Sequence, residues 1–360
     1  MHPLRVGILG ATGMVGQRFI SLLQGHPWFT ITALAASQRS AGRSYREAIV
    51  GRWAMHDTVP EAVADLPVLD VTDLDRVCPQ VDLVFCALTL DKEATRRLED
   101  DYARREVPVV SANSAHRWTP DVPVLIPEVN PDHLQVIPAQ RRRLGTRRGF
   151  VTAKPNCSIQ PYVPALHALA EFRPLQACVC TYQAISGAGK TFATWPEMVD
   201  NLIPFIGGEE EKSIREPLKI WGRLEGDRIV PATEPVISAQ CLRVPVSDGH
   251  MAAVSVRFGR KPTIEEILAR WTAYQGRPQQ LGLPSAPVPF LHYFTEEDRP
   301  QTRLDRDYGK GMGVTLGRLR PDNLMDYSFV ALSHNTVRGA AGGAILTAEL
   351  LAAEGYLTAD

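Results

Sequence analysis

The stretch KPNCSIQ at 154–160 sets Cys157 between an asparagine and a serine, with a proline two residues before it. A thiolate at such a turn can attack an activated carbonyl and carry the acyl group as a thioester. The competing reading is a small apolar residue in a core, because free cysteine is among the most often buried residue types. A cysteine nucleophile also needs a proton acceptor within reach, since the thiolate is the attacking species. Among nine histidines, His250 in CLRVPVSDGHMAAV stands apart, at a turn between two strand-like runs and directly after Asp248-Gly249. An exposed turn histidine would look the same. Arg243 lies seven residues earlier, toward the end of the preceding run, and its guanidinium is a forked clamp suited to a carboxylate. GEEEK puts Glu209 and Lys212 three residues apart, on one face of a helix. A solvated charged helix is the alternative there.

Other candidates fall away. SGAGKT (186–191) resembles the end of a phosphate-binding P-loop, but the required first glycine falls at Ala184. ATP hydrolysis is not indicated. Six cysteines form no C-x-x-C pair, so neither a disulfide framework nor a structural zinc site is expected, and no metal is called for. Cys178 and Cys180 alternate in ACVCTYQAI and read, with Cys86 and Cys241, as buried structural thiols in strands.

The elements that must position these residues begin at the N-terminus. PLRVGILGATGMVGQRFISLL runs from an apolar strand through Gly10, Gly13 and Gly16 into an amphipathic helix. Glycines there let the backbone approach a pyrophosphate, and the helix N-terminus offers unpaired N–H groups. The second strand, TITALAAS, ends in SQRSAG with no carboxylate. Ser37, Arg39 and Ser40 therefore favour the 2′-phosphate of NADP over the bare ribose of NAD; a solvated loop arginine competes. Strand-like runs at 81–88, 107–113 and 122–129, with helical KEATRRLEDDYARRE between, fit a Rossmann-type parallel sheet with crossover helices. Beyond Cys157 come an apolar helix, the strand around Cys178, a long helical stretch over 195–222 and further strands. The expected architecture is α/β: a Rossmann-type nucleotide domain (1–156, completed by 335–360) and an α+β catalytic and dimerisation domain with a mixed sheet (157–334). With 39 basic and 40 acidic residues, the chain has no charge bias toward nucleic acid or a membrane surface. QRRRLGTRRG (140–149) reads as a solvated surface loop. No apolar run approaches the ~18 residues that span a bilayer, and a cytoplasmic location is expected.

Taken in order, GATGMVGQRF, SQRSAG, SANSAHRW, IPEVNPDH, KPNCSIQ, QAISGAG, GEEEK, RVPVSDGH and HNTVRGAAGG resemble the aspartate-β-semialdehyde dehydrogenases nearly end to end, especially their archaeal, fungal and related bacterial branch. The resemblance implies NADPH-dependent reduction of β-aspartyl phosphate to aspartate semialdehyde and phosphate, in aspartate-family amino-acid biosynthesis. It assigns Cys157 as nucleophile and His250 as general acid/base. Arg243 and Glu209 would hold the α-carboxylate and α-amino group, and Arg117 and Lys212 the phosphoryl group. Gln183 would orient the acyl intermediate, with Asn156 beside the nucleophile. Gly10, Thr12, Gly13, Met14, Val15, Gly16, Ser37, Arg39, Ser40, Ser186, Gly187 and Asn335 would touch NADP. Members are homodimers or homotetramers, and the C-terminal helix returns to the nucleotide domain. Lys190 and Thr191 depart from the family's usual tyrosine or small residues. The rival readings are a paralogue acting on malonyl-CoA or a modified aspartate, and a non-catalytic NADP-binding regulator. N-acetyl-γ-glutamyl-phosphate reductases fit the nucleophile motif and the Arg-to-His spacing poorly.

Overall fold

A computed structural model describes residues 3–358. Six strands form the first sheet: β1 (Leu4–Leu9), β2 (Phe29–Ala36), β3 (Val68–Asp70), β4 (Leu83–Cys86), β5 (Val109–Ser111) and β6 (Val151–Ala153). Their order is β3-β2-β1-β4-β5-β6, and every pairing is parallel. Such strands are covered by helices on both faces, so they read as continuous apolar runs such as LVFC. The order reverses between β1 and β4, which opens a crevice beyond the carboxyl ends of those strands. The run 122–129 is not a strand. Pro123 and Pro127 lack the N–H groups a ladder needs, and only an isolated bridge from Val124 to Ala153 forms.

The second sheet is mixed, ordered β10-β7-β11-β14-β13-β12. It comprises β7 (Pro174–Gln183), β10 (Val236–Arg243), β11 (His250–Phe258), β12 (Leu291–Tyr293), β13 (Val314–Pro321) and β14 (Tyr327–Ser333), while β8 (Arg223–Glu225) and β9 (Arg228–Val230) pair as a separate hairpin. One face of β7 packs Ala177 and Val179 into the core. The alternating face is open: Cys178 is exposed and Cys180 half-buried, so of the four strand cysteines only Cys86 and Cys241 are buried. Alternation put both residues on one face, as read from the sequence, but on the uncovered one. The helical expectation over 195–222 shrinks to Glu209–Ile220. Pro204 and the left-handed Gly208 (φ +71°) keep the chain irregular ahead of it.

The arginine-rich tract is loop only in its second half: 140–144 belongs to the helix Ile137–Leu144 and 145–149 follows it as a loop, with Arg142, Arg143 and Arg147 exposed. Arg143 pairs with Asp121, Arg142 with Asp227, and Arg141 lies over the Phe150 ring. The helix Gly342–Ala353 is buried nearly all round and shares its core with β1, β2, β4 and the helix Met14–Leu22; an apolar helix without a polar face has to be enclosed in this way. Its one acidic side chain, Glu349, is buried against His26 Nε2 at 2.9 Å. Among the described residues no helix is long and apolar enough to cross a membrane.

A buried ion pair also joins distant segments. Arg338 donates to both carboxylate oxygens of Glu128, at 2.7 and 2.5 Å, and stacks over Phe290 at 4.7 Å. Both members are essentially inaccessible. Replacing Arg338 with Met would strand a buried carboxylate, a loss of about 3–5 kcal/mol. The expected result in denaturant unfolding is a midpoint well below wild type for Arg338→Met, with partial recovery when Glu128→Gln is added.

Candidate active site

Cys157 opens a short 3₁₀ turn, Cys157–Ile159, just after β6. Pro155 ends the strand, and Asn156 caps the turn by accepting the Ser158 N–H at 2.9 Å. Gly339 packs against Cys157 so closely that a Cβ there would lie 2.7 Å from the cysteine Cβ. Cys157 remains half-buried and lines a cleft of ≈ 300 Å³ between the two sheets. Arg117, Asn156, Gln183, Glu209, Lys212 and Arg243 line the same cleft, as do Val15, Ser186, Gly187 and Asn335. Residues spread over most of the chain thus meet at one point, although His250 is not among those that line the cleft.

Each arrives on the end of an element. Gln183 and Arg243 are the last residues of the parallel pair β7 and β10 and stand directly side by side. Glu209 and Lys212 occupy the first turn of the helix Glu209–Ile220 and pair at 2.6 Å. Glu209 also accepts both contacts of the Asn156 amide, at 3.0 and 2.9 Å, and a longer one from Gln183 at 3.4 Å. Burial alone would raise its pKa, but the Lys212 ammonium and these amides outweigh that and hold the carboxyl below its ordinary value. It stays ionised, an acceptor for a substrate ammonium.

Two further residues were not singled out from the sequence. Glu216, seven positions beyond Glu209, lies on the same helical face. It accepts the Asn156 backbone N–H at 2.7 Å and Arg117 NH1 at 2.8 Å. That i, i+7 spacing of acids in GEEEKSIRE was a usable signal, since two turns of helix return a residue to the same side. Lys154, at the start of KPNCSIQ, is 2 % exposed, and its Nζ donates to the Pro155 carbonyl at 2.5 Å. Lysine is rarely buried so completely.

His250 is fully buried as the first residue of β11, not exposed at a turn. Its Nδ1 accepts the Ala184 N–H at 3.1 Å. An amide can only donate, so the neutral ring carries its proton on Nε2. That nitrogen is buried with no hydrogen-bond partner among the described residues and stands near Gly187, where a Cβ would be 3.0 Å from it. Burial first, and the Arg243 guanidinium second, push the imidazole pKa down to about 3. His250 is therefore a neutral ring with its proton on Nε2, buried beside Gly187, which lines the cleft. Burial also raises the Cys157 pKa, helped by Glu209 and opposed by Lys154, Arg117 and Arg243. Burial lowers Lys154 to about 7.

The residues read as nucleotide contacts fall into two groups. Gly10 (φ +89°) and Gly16 make the tight turn after β1: a Cβ on Gly10 would lie 2.3 Å from Ala87 O, and one on Gly16 2.2 Å from Gly10 O. Thr12, Gly13, Met14 and Val15 continue it into the helix Met14–Leu22, whose N-terminus has no side-chain cap. Free N–H groups at a helix start suit a pyrophosphate. Beyond β2, Ser37 and Arg39 are exposed but Ser40 is buried under the turn, and none of the three lines the Cys157 cleft. Asn335 bridges the 186 and 249 turns, donating to Ser186 Oγ and accepting the Gly249 N–H, each at 2.8 Å. Lys190 is exposed. A glycine cradle, an uncapped helix and an exposed arginine without a carboxylate in the 37–40 turn together fit NADP.

Comparison with known proteins agrees with this geometry. Residues 5–137 match the family model described as semialdehyde dehydrogenase, NAD binding domain, and residues 166–338 match semialdehyde dehydrogenase, dimerisation domain. An aspartate-semialdehyde dehydrogenase of Methanothermobacter thermautotrophicus is 45% identical over 351 residues, covering 97% of this chain and 99% of that protein. The chain belongs to the aspartate-semialdehyde dehydrogenase family. The family member from Aspergillus fumigatus is 42% identical over 363 residues, 98% of each chain. Among solved aspartate-semialdehyde dehydrogenases, the Candida albicans enzyme with NADP superposes with a TM-score of 0.89 at 38% identity, covering 98% of this chain and 100% of that one. A Vibrio cholerae enzyme described as complexed with ASA superposes with a TM-score of 0.74 at 25% identity, covering 98% and 99%.

Gly187 offers a direct check on the cleft. A Cβ there would press within 2.8 Å of Arg243 NH1 and 3.0 Å of His250 Nε2. Because Gly187 is exposed, Gly187→Ala should leave the unfolding midpoint near wild type. It should lower kcat/KM by roughly 10²-fold, the scale of an ångström-level misplacement. Steady-state kinetics beside a thermal melt measures both.

Proposed function

We propose that the protein catalyses the reversible, NADPH-dependent reduction of β-aspartyl phosphate to aspartate β-semialdehyde and phosphate. The observation that carries this reading is one cleft in which a half-buried thiol, Cys157, meets a fixed carboxylate, Glu209, and the cations Arg117, Lys212 and Arg243. β-Aspartyl phosphate has the complementary groups: an acyl carbon for the sulfur, an ammonium for Glu209, a carboxylate for Arg243 and a phosphoryl group for Arg117 and Lys212. A malonyl thioester has no ammonium to place beside Glu209.

In this mechanism the Cys157 thiolate displaces phosphate and holds the aspartyl group as a thioester. Arg117, braced by Glu216 and by the Lys154 carbonyl at 3.0 Å, steadies the departing phosphate. Gln183 and Asn156, both tied to Glu209, orient the acyl group. His250, with its proton on Nε2, donates to the acyl oxygen as negative charge develops there, a role in which a fixed donor in a water-poor site counts for most. NADPH, when bound, supplies the hydride that takes the thioester to the aldehyde level. Gly10, Thr12, Gly13, Met14, Val15 and Gly16 would hold its pyrophosphate, Ser37, Arg39 and Ser40 its 2′-phosphoribose, and Ser186, Gly187 and Asn335 its reactive end.

The same reading divides the chain at 156, with 335–360 completing the nucleotide domain. It also makes the protein a homo-oligomer, dimer or tetramer, consistent with the matched dimerisation family and with the open face of the second sheet. Six free thiols suit a reducing cytoplasm. The test is phosphate-dependent reduction of NADP by aspartate semialdehyde, with a forward panel of β-aspartyl phosphate, malonyl-CoA and N-acylated glutamyl phosphate. Wild type should turn over aspartate semialdehyde and accept only β-aspartyl phosphate, and Cys157→Ala should fall to background. Equal rates for the two proteins would remove Cys157 from the chemistry, and preference for malonyl-CoA would reassign the substrate.

A further inference from the structure

His250 is placed from two directions. The Ala184 N–H orients its ring, and the turn Ser247-Asp248-Gly249 sets where its backbone enters β11. That turn also supports other residues around the cleft. Gly249 donates to Asn335 Oδ1 and Asn335 donates to Ser186 Oγ, each at 2.8 Å. The Val246 and Ser247 carbonyls accept the Ile185 and Ser186 N–H groups at 2.9 and 3.3 Å. The imidazole, the Ser186-Gly187 segment and Asn335 therefore all take their positions from one turn. Gly249 sits at φ +101°. Glycine tolerates that angle but prefers no single conformation, so something outside the turn has to hold it.

Arg306 supplies the hold. It lies between β12 and β13, directly after the short helix Thr302–Asp305. Its NH1 donates to Ser247 Oγ at 3.0 Å and to the Asp248 carbonyl at 3.1 Å. Its Cβ stands 3.3 Å from where a Cβ on Gly249 would be, with the Thr302 Cβ at 3.5 Å. Asp307 Oδ2 is 3.9 Å from the Arg306 Nε, too far for a hydrogen bond. Among the described residues, the hydrogen bonds of this guanidinium thus go to the turn alone. The arginine is anchored at its base. Asp305 beside it is buried, accepts the Gln301 N–H at 2.6 Å and pairs with Arg299 Nε at 2.7 Å. Ser247 and Asp248 are only half-buried, so water can replace the guanidinium as their partner. What water cannot replace is the fixed geometry.

We propose that Arg306 is a positioning residue for the reaction: it clamps the 247–249 turn and so sets where His250, Ser186 and Asn335 stand relative to Cys157. Such constellations work only within about 0.5 Å of their productive placement. The groups assigned to the substrate are held elsewhere. Arg243 exchanges backbone hydrogen bonds with Ile203 at 2.9 and 3.0 Å, and Glu209 is fixed by Lys212 and Asn156. Loss of Arg306 should therefore weaken turnover and leave substrate binding alone. The inference rests on the proposed reaction, but one of its two tests needs no substrate.

That test is hydrogen–deuterium exchange read by mass spectrometry. In Arg306→Met, peptides covering 246–250 should exchange about tenfold faster, the scale of one net hydrogen bond, while peptides of the first sheet stay as in wild type. The second test is steady-state reduction of NADP by aspartate semialdehyde and phosphate. Arg306→Met should lower kcat by roughly 10²-fold and keep the KM for aspartate semialdehyde near wild type. Ser247→Ala, which leaves the Asp248 carbonyl bonded, should lose less. Added to Arg306→Met it should lose nothing further, because both changes remove the same contact. Unchanged exchange over 246–250 in Arg306→Met overturns the proposal, as does a KM that rises while kcat stays. An inactive wild type would instead sink the proposed reaction, and the exchange data would still decide whether Arg306 holds the turn. Should Arg306→Met fold poorly, Ser247→Ala decides: wild-type exchange and kcat in that variant overturn the clamp.

Discussion

Two acids on one helical face, Glu209 and Glu216, organise the cleft through a single residue, Asn156. Glu216 takes its backbone N–H and Glu209 its side-chain amide. The Asn156 carbonyl oxygen in turn caps the turn that presents Cys157. A buried carboxylate costs several kcal/mol unless it is paired and hydrogen-bonded, and here each acid has a cation, Lys212 or Arg117. The charges that bind substrate and the contacts that position the nucleophile are therefore one network. A shift in the helix Glu209–Ile220 would move the sulfur, the phosphate clamp and the ammonium site together.

The cleft exists because two differently built sheets end at the same place. Parallel strands of the first sheet deliver the glycine turn after β1 and the Cys157 turn after β6 at their carboxyl ends. The mixed sheet brings Gln183 and Arg243 at the ends of parallel neighbours, with His250 at the start of β11, the antiparallel neighbour of β7. Glycine makes the approach possible where the two meet. Gly339 lies against Cys157 and Gly187 against Arg243 and His250, so closely that an added Cβ would displace its neighbours. The segment carrying Gly339 is anchored by the buried pair of Arg338 and Glu128.

Environment then divides the acid–base work among groups that would otherwise compete. Burial drives the thiol upward and the imidazole and the lysine downward, because each loses hydration in its charged form. The imidazole is held neutral, and the amine's pKa comes down to about 7. The thiol is reactive only in so far as cations offset its burial. Cleft position alone does not assign such roles; the hydrogen bond on the far side of a ring does, as the Ala184 N–H does for His250.

Much of this was legible in the chain. The glycine spacing after an apolar strand, Cys157 after Pro and Asn, and Arg243 and His250 seven apart are local patterns whose candidate chemistry follows from residue type and separation, whereas the roles of Glu209 and Lys212 come with the family resemblance. The parallel sheet follows from apolar runs alternating with helical stretches; the return of the C-terminal helix to the nucleotide domain is implied by the resemblance. What no local pattern carries is which face is covered and which partner stands opposite. Cys178 and Cys180 share a face, but only packing decides that it is open. The arginines at 141–143 read as a loop from the sequence, and only the structure puts them on a helix, Arg142 and Arg143 still exposed, and brings Asp121, Asp227 and Phe150 beside them. Lys154 stood in plain view, yet its burial, and with it a lowered pKa, arises only when β6, the Arg117 loop and the 338–343 turn close around it, because desolvation belongs to the assembled surroundings and not to the residue.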